Sequence, residues 1–267
     1  MNRPYYVVFF IGNIKLLLFI DDFASLKKMK DNNKRFTAKE PYNQTLVVEI
    51  YKNNLSIVEE SQLTKSKELN SIIVSNKEIL FERVNNSYTF YCLENMELVE
   101  VEELIKIVLS KHFIQEEVLM LHASATIDTK QSRAHIFVGP SGAGKSTIAE
   151  LSNYETLQDD TFCLRQKGKK FNLFSIPFRR NYEKRNVLVE SLSIYRIYQS
   201  NDNYLVNLDY SSQLLYFLTS VWSFDELSVE NQDANQSIIK LTKDLLKHTE
   251  LKQLYFTKSN HYNDLIS

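Results

Sequence analysis

The chain has 267 residues, 43% of them hydrophobic and 24% charged, and its formal net charge is −1. This length allows one large domain or two small ones, and the composition is that of a globular protein. The balanced charge argues against binding to nucleic acid or to an acidic membrane surface. Cys92 and Cys163 could form one disulfide but have no framework or metal-ligand spacing, so a reduced, cytoplasmic protein is the simpler interpretation.

The first hundred residues show the alternation and turns that are typical of strands. The apolar segment Tyr5–Ile20 is interrupted by Gly12-Asn13 and Lys15, and Asp21-Asp22 follows it in place of a small-residue cleavage site. It is too short for a membrane span and does not fit a signal peptide, so it predicts two strands joined by a turn. Further strands are predicted over Thr45–Tyr51, Lys77–Val84 and Tyr88–Leu93. Residues 1–97 are therefore expected to form an N-terminal β-rich module.

The periodicity changes near residue 98, where apolar residues begin to recur at helical spacing and charged residues take the opposite face. The apolar positions are Val101, Leu104, Ile105, Val108 and Leu109, and the charged positions are Glu100, Glu102, Glu103 and Lys106. The pattern predicts an amphipathic helix over residues 98–115. This helix lies in a connecting segment, residues 98–117, and is expected to pack on the domain that follows it.

Residues 118–267 are predicted to form one domain in which hairpins dominate. Strands are predicted over Val118–Ile127, Ala134–Val138, Thr161–Gln166, Phe171–Ile176, Ser193–Gln199, Tyr204–Asp209 and Gln253–Thr257. Helices are predicted from residue 145 to about 153, over 211–222 and over 231–248. Because hairpins follow the first of these helices at once, the pattern differs from a repeating βαβ fold. It predicts the α/β class with a mixed sheet.

A complete G-x-x-x-x-G-K-[ST] motif occupies Gly139–Ser146, between a predicted strand and a predicted helix. Its glycines let successive N–H groups point at a phosphate, and the helix N-terminus adds partial positive charge. Lys145 can reach the β- and γ-phosphates, and the Ser146 hydroxyl can hold Mg²⁺. The residues expected to bind the nucleotide are Gly139, Pro140, Ser141, Gly142, Ala143, Gly144, Lys145, Ser146 and Thr147. A glycine-rich turn that matches by chance is the alternative, and the strand and helix on either side disfavour it.

Two adjacent carboxylates, Asp159 and Asp160, begin fourteen residues after Lys145. A carboxylate at this place can hold Mg²⁺ directly or through water. If the segment is extended, the two side chains point in opposite directions, so one can face the metal and the other an acceptor hydroxyl. An exposed Asx turn before the next hairpin is the alternative.

Two further features could contribute to the same chemistry. His122 lies in an apolar strand that leads into the motif, although a lone histidine there is more often a core-edge residue bonded to a backbone carbonyl. A basic stretch, which could stabilise the charge of phosphoryl transfer or simply form a solvated loop, comprises Arg179, Arg180, Lys184 and Arg185. The other histidines, His112, His135, His248 and His261, are assigned to the structural class.

Taken together, Leu121-His122-Ala123-Ser124, the motif at Gly139–Thr147, Asp159-Asp160 and Pro177-Phe178 resemble the C-terminal catalytic domain of HPr kinase/phosphorylase. They are most similar to the divergent HPr-kinase-like proteins found beside peptide-modification genes. That family shares a core with phosphoenolpyruvate carboxykinase. The resemblance covers roughly residues 118–267 and implies a mixed-sheet core of this type.

The resemblance also implies a role for each matching residue. Lys145 binds phosphate, Ser146 and Asp159 serve the metal, Asp160 is the general base for the acceptor hydroxyl, and His122 lies beside it. The acidic metal ligand expected downstream has only Glu183 and Glu190 as candidates. The signature for recognising HPr is missing, and the N-terminal module does not resemble that of the family, so HPr is not the expected acceptor.

The leading hypothesis is an ATP- and Mg²⁺-dependent kinase that phosphorylates a hydroxyl, of serine in the first instance, on a peptide or small protein such as a biosynthetic precursor peptide. A non-catalytic nucleotide-binding partner of a biosynthetic or regulatory complex is the alternative. A nucleotide hydrolase acting as a switch is a third, weaker hypothesis because no water-positioning glutamine or arginine finger can be assigned. The expected partners are a nucleotide and the acceptor, with no nucleic acid and no membrane.

Overall fold

The structure of the protein is a computed structural model that describes residues 6–52, 70–75, 77–92, 96–178, 185–222 and 232–267. The described residues fall into two compact units, one up to Leu109 and one from Ser110 onward. The boundary lies inside the helix Leu98–Gln115. Among the helices of the described residues, none is both long and apolar enough to cross a membrane.

The first unit is a mixed sheet with the strand order β1-β2-β3-β6-β5-β4. Its strands are β1 Val7–Ile11, β2 Ile14–Ile20, β3 Gln44–Lys52, β4 Asn70–Val74, β5 Lys77–Val84 and β6 Ser87–Cys92. The hairpin predicted around Gly12 is present, because β1 and β2 pair antiparallel and Gly12 has a φ of +58°. In β2 every second residue is buried, as expected for a strand with one face on a core.

One helix belongs with this sheet, and a second helix spans the boundary between the two units. Helix α1 spans Phe23–Asn32, and Asp22 caps it by accepting a hydrogen bond from the Ala24 N–H. It was not predicted, because only Leu26 and Met29 of its ten residues are buried and the periodic signal is therefore weak. Helix α2 spans Leu98–Gln115, the same residues as the predicted amphipathic helix.

The second unit contains a nine-stranded mixed sheet. Its strands are β7 Val118–Asp128, β8 Arg133–Val138, β9 Glu155–Gln158, β10 Thr161–Lys167, β11 Lys170–Ser175, β12 Asn186–Val189, β13 Ser191–Gln199, β14 Tyr204–Asn207 and β15 Leu251–Phe256. The helices are α3 Lys145–Glu150, α4 Tyr210–Leu218, α5 Gln232–Leu246 and α6 Asn263–Ile266. The strand order is β12-β11-β10-β7-β8-β13-β15-β14, with β9 paired to β7. This arrangement confirms the predicted α/β class with a mixed sheet.

The direction of the strands changes across this sheet. Strands β8, β13 and β15 are parallel neighbours, whereas β7 runs antiparallel to both β8 and β10. One face carries a large apolar core that includes residues of α4 and α5, and the other face packs Phe137, Ile197 and Phe256 with Ile148 of α3. Helix α3 is thereby fixed on the sheet directly after the strand that precedes it.

Three predicted helices are shorter in the structure, and one of them, α5, ends at Leu246 rather than at 248. Helix α3 ends at Glu150 rather than near residue 153, and α4 ends at Leu218 rather than at 222. The cause for α4 is pairing with the sheet, because the His122 N–H donates to the Ser220 carbonyl at 2.7 Å and the Trp222 N–H to the Met120 carbonyl at 2.8 Å. Residues after Leu218 therefore run along β7 instead of continuing the helix.

Candidate functional site

A glycine-rich loop, Gly139–Ser146, connects the carboxyl end of β8 to the start of α3. Gly142 and Gly144 have φ angles of +80° and +102°, which side-chain-bearing residues rarely adopt. A Cβ at Gly144 would lie 2.9 Å from Cζ of Phe256, so this position also lacks the space for a side chain. The loop conformation therefore requires the glycines that the motif supplies.

Lys145, the first residue of α3, is only 7% exposed. Its Nζ donates hydrogen bonds to the carbonyls of Gly139 at 2.9 Å and Pro140 at 3.1 Å, so the ammonium group closes the loop upon itself. The Ser124 hydroxyl of β7 donates to the Lys145 carbonyl at 2.9 Å. The lysine is thus anchored to the sheet and holds its charge at the loop.

The loop borders a cavity of about 340 Å³, called here the loop cavity. It is lined by His122, Ser141, Gly142, Gly144, Lys145, Ser146, Thr147, Asp159, Asp160, Gln199 and Lys258. Nine of these eleven residues are ones that the sequence predicted for a site. Of the predicted residues, Gly139, Pro140 and Ala143 belong to the loop without lining the cavity.

The two adjacent carboxylates lie in a bend between β9 and β10. Asp159 is 4% and Asp160 5% exposed, so the alternative of an exposed Asx turn is wrong. The Thr161 hydroxyl donates to Asp160 Oδ2 at 2.7 Å and fixes that carboxylate. The segment is bent here rather than extended, so the condition for opposite directions is not met, and both side chains line the loop cavity.

His122 lies on β7 directly opposite Thr161 of β10. This register brings His122 Nδ1 to 3.6 Å from Asp160 Oδ1, and the histidine side chain is 36% exposed. The indole of Trp222 meets the imidazole edge-on, with ring centroids 6.1 Å apart. The structure therefore brings together a histidine, two carboxylates and a lysine that are separated in sequence.

The loop cavity offers oxygen ligands to a divalent cation. The hydroxyl of Ser146 and the carboxylate of Asp159 both line it, and oxygen ligands are those that Mg²⁺ prefers. Among the described residues no cluster of three or more His, Cys, Asp or Glu side chains could hold a metal ion by itself. This donor set fits Mg²⁺ of the kind that is bound by one or two protein oxygens together with substrate phosphates.

The predicted basic stretch contributes nothing to the cavity within the part of the chain that is described. Arg179, Arg180, Lys184 and the candidate ligand Glu183 lie outside the described residues. Arg185 forms an ion pair with Glu155 and does not line the cavity. Glu190 is 63% exposed and pairs with Lys170 at 2.7 Å, so it is a surface residue and not the downstream metal ligand.

The remaining histidines do not line the loop cavity, as expected. His135 is fully buried between the rings of Tyr154 and Tyr195, with centroid distances of 4.7 Å and 6.2 Å. Burial lowers the pKa of His135 to about 4. Neither ring nitrogen has a hydrogen-bond partner among the described residues, so the imidazole is held neutral inside the core.

Two residues of the loop cavity, Gln199 and Lys258, were not predicted. Gln199 ends β13 and its Nε2 donates to the Gly142 carbonyl at 3.4 Å, and Lys258 follows the end of β15. Both strands run parallel to β8, and carboxyl ends of parallel strands meet at one edge of a sheet. Their place at the cavity depends on the strand order β8-β13-β15, which the sequence around Gln199 or around Lys258 does not reveal.

A family model for phosphoenolpyruvate carboxykinase matches residues 39–175, just over half of the chain. The chain belongs to this family. The matched part contains His122, the glycine-rich loop and the adjacent carboxylates. The phosphoenolpyruvate carboxykinase family uses ATP and a divalent metal ion, so membership supports an ATP-using phosphotransfer enzyme as the general class, and it supports the predicted shared core. A search of curated proteins finds no match.

Proposed function

We propose that the protein is an ATP- and Mg²⁺-dependent kinase that transfers the γ-phosphate to a hydroxyl, of serine in the first instance, on a peptide or small protein. The observation that carries the proposal is the convergence of Lys145, Ser146, Asp159, Asp160 and His122 on one cavity. Membership of the carboxykinase family supports ATP-dependent phosphotransfer as the reaction class. The resemblance to HPr-kinase-like proteins supports the acceptor and a cytoplasmic location.

The binding half of the site is the glycine-rich loop with Lys145 and Ser146. The loop N–H groups and the α3 N-terminus form a concave positive surface for phosphate. In this proposal the Lys145 ammonium exchanges the carbonyls of Gly139 and Pro140 for phosphate oxygens when the nucleotide binds. The Ser146 hydroxyl and Asp159 would hold Mg²⁺, which would supply neutralisation of the phosphate charge.

The reacting half of the site is Asp160 with His122. Asp160 accepts the proton of the acceptor hydroxyl while that oxygen forms a bond to the γ-phosphorus and the bond to the β–γ bridging oxygen breaks, releasing ADP. Thr161 donates to Oδ2 of Asp160, and Oδ1 lies 3.6 Å from His122 Nδ1, on the side where the proposal places the acceptor hydroxyl. Phosphoryl transfer depends mainly on positioning and charge neutralisation, and a fixed carboxylate satisfies the first of these.

The decisive experiment is transfer to candidate peptides. The full chain is incubated with ATP, Mg²⁺ and synthetic peptides encoded beside its gene, and phosphopeptides are measured by mass spectrometry with and without Mg²⁺. Serine phosphorylation that is lost in Asp160→Asn and retained in the exposed control Asp264→Asn would support the proposal. ATP binding without transfer to any acceptor would favour the alternative of a non-catalytic nucleotide-binding partner.

A further inference from the structure

The loop cavity has a chemically different wall on each side of the glycine-rich loop. The strand order β10-β7-β8-β13-β15 places β7 and β10, with His122 and the two carboxylates, on one side of the loop that follows β8. The same order places Gln199 and Lys258, at the ends of β13 and β15, on the other side. A linear phosphate chain that lies across the loop would therefore have the acidic, reactive wall at one of its ends and the basic, polar wall at the other.

A second cavity, called here the side cavity, continues from the basic end. It has a volume of about 470 Å³ and is lined by Gln199, Ser200, Asn201, Phe256, Thr257 and Lys258. Gln199 and Lys258 also line the loop cavity, so the two spaces adjoin at these two side chains. A ligand that is longer than its phosphates can extend from the loop cavity into the side cavity past this junction.

The walls of the side cavity are already fixed in place. The Ser200 N–H donates to the Phe256 carbonyl at 2.9 Å, which ties the end of β13 to the end of β15. The Thr257 N–H donates to the Asn203 side chain at 2.8 Å, which holds the next turn. Hydroxyl and amide groups line the space, and such groups match the hydroxyls of a sugar.

Lys258 provides the charge at the junction. Within the described part of the chain it forms no ion pair, its neighbours in the side cavity are uncharged, and the charged side chains that share the loop cavity with it include Lys145 and the two carboxylates on the far side of the loop. A lysine in this setting attracts an anionic group, and the phosphates at the loop are the nearest place for one.

We propose that the nucleotide binds with its γ-phosphate toward Asp160 and His122 and with its nucleoside in the side cavity, and that Lys258 contacts the phosphates nearest the sugar. This inference rests on the proposed function, because it requires the glycine-rich loop to bind the triphosphate. It adds a direction for the nucleotide and two determinants of its affinity, Lys258 and the 199–201 turn. Both lie beyond the part of the chain that the family model matches.

The test compares ATP with inorganic tripolyphosphate, which has the phosphates but no nucleoside. Binding to the full chain in the presence of Mg²⁺ is measured by calorimetry. We expect ATP to bind more tightly than tripolyphosphate to the unmodified protein. Lys258→Gln should weaken both ligands by about tenfold, the scale of one lost charge-assisted hydrogen bond, and Lys258→Arg should retain affinity within about threefold. Lys169→Gln, in an exposed turn, is the matched control and should change neither.

The side cavity is tested by filling it. Ser200 is partly exposed at the cavity wall, so Ser200→Trp adds volume there without entering the core. It should weaken ATP by about tenfold or more and leave tripolyphosphate within about twofold. If Ser200→Trp weakens ATP and tripolyphosphate equally, or weakens neither, the assigned direction of the nucleotide is overturned. If Lys145→Ala abolishes binding while the Lys258 and Ser200 variants bind normally, the inference fails alone; if the unmodified protein binds neither ligand, the proposed function fails.

Discussion

Gly142 and Gly144 offer a matched pair of substitutions within the glycine-rich loop. Both have positive φ, so alanine at either position should cost about 1–2 kcal/mol of backbone strain. A Cβ at Gly142 meets no atom within 4 Å, whereas a Cβ at Gly144 lies 2.9 Å from Phe256 Cζ. The Phe256 ring is 1% exposed and packs against Tyr262, so it cannot move aside cheaply. This overpacking should cost Gly144→Ala about 1–3 kcal/mol more than Gly142→Ala.

The difference is measurable as a free energy of unfolding in urea. Trp222, the only tryptophan of the chain, lies in the second unit and reports on it by fluorescence. Gly168→Ala, with a φ of +63° and open space around it, is a control for backbone strain alone. Phe256→Leu should relieve the clash, so its double-mutant cycle with Gly144→Ala should give a coupling of about 1 kcal/mol or more. Equal losses for the Gly142 and Gly144 variants would refute the role assigned to Phe256.

Three further predictions concern binding, transfer and acid stability. Lys145→Ala should weaken ATP binding in calorimetry and abolish transfer, because the loop loses its only buried cation; unchanged affinity would remove the phosphate-binding role. Asp160→Asn should lower phosphopeptide yield by about 10²-fold with ATP–Mg²⁺ affinity kept, whereas Asp159→Asn should weaken the Mg²⁺-dependent part of ATP binding; the same loss in both would contradict the division of roles. Because burial lowers the pKa of His135 to about 4, the unfolded chain binds a proton below pH 6.5 that the folded chain excludes. His135 should therefore not reduce the free energy of unfolding above pH 6.5, and it should lower that free energy by about 3 kcal/mol as the pH falls from 6.5 to 4. His135→Phe should flatten this slope in urea titrations.

Local sequence signals predicted the elements that depend on local interactions. The helix Leu98–Gln115 has a continuous apolar face, and the hairpin of β5 and β6 has a polar turn between alternating strands, so both were readable. Strands β9 and β12 have only four residues each. Strand β9 pairs with β7 and β12 pairs with β11, and neither partner is joined to it by a short turn. Their existence depends on tertiary pairing, which a short segment does not encode.

The same distinction separates the predicted from the missed parts of the site. The glycine-rich loop, Lys145 and Ser146 follow from a contiguous motif, and the pairing of Thr161 with His122 then brings Asp160 to the histidine. The bend at the two carboxylates was missed because the rule that adjacent side chains point in opposite directions holds only for an extended chain. Gln199 and Lys258 were missed because they reach the cavity through two parallel pairings, β8 with β13 and β13 with β15.

In the proposed site, the mixed direction of the strands lets different parts of the sheet supply the groups for binding and the groups for reaction. The parallel strands β8, β13 and β15 all end at the loop, so the groups that they present come from the turns that follow them, including Lys258. Strand β7 runs the other way and passes the loop in mid-strand, where Ala123 pairs with Val138 and His122 is held by hydrogen bonds along the strand. A turn can change without disturbing the sheet, whereas a mid-strand residue is fixed by its neighbours. Nucleotide affinity should therefore respond to changes in the 199–201 and 257–258 turns, while the geometry of His122 in mid-strand stays constant.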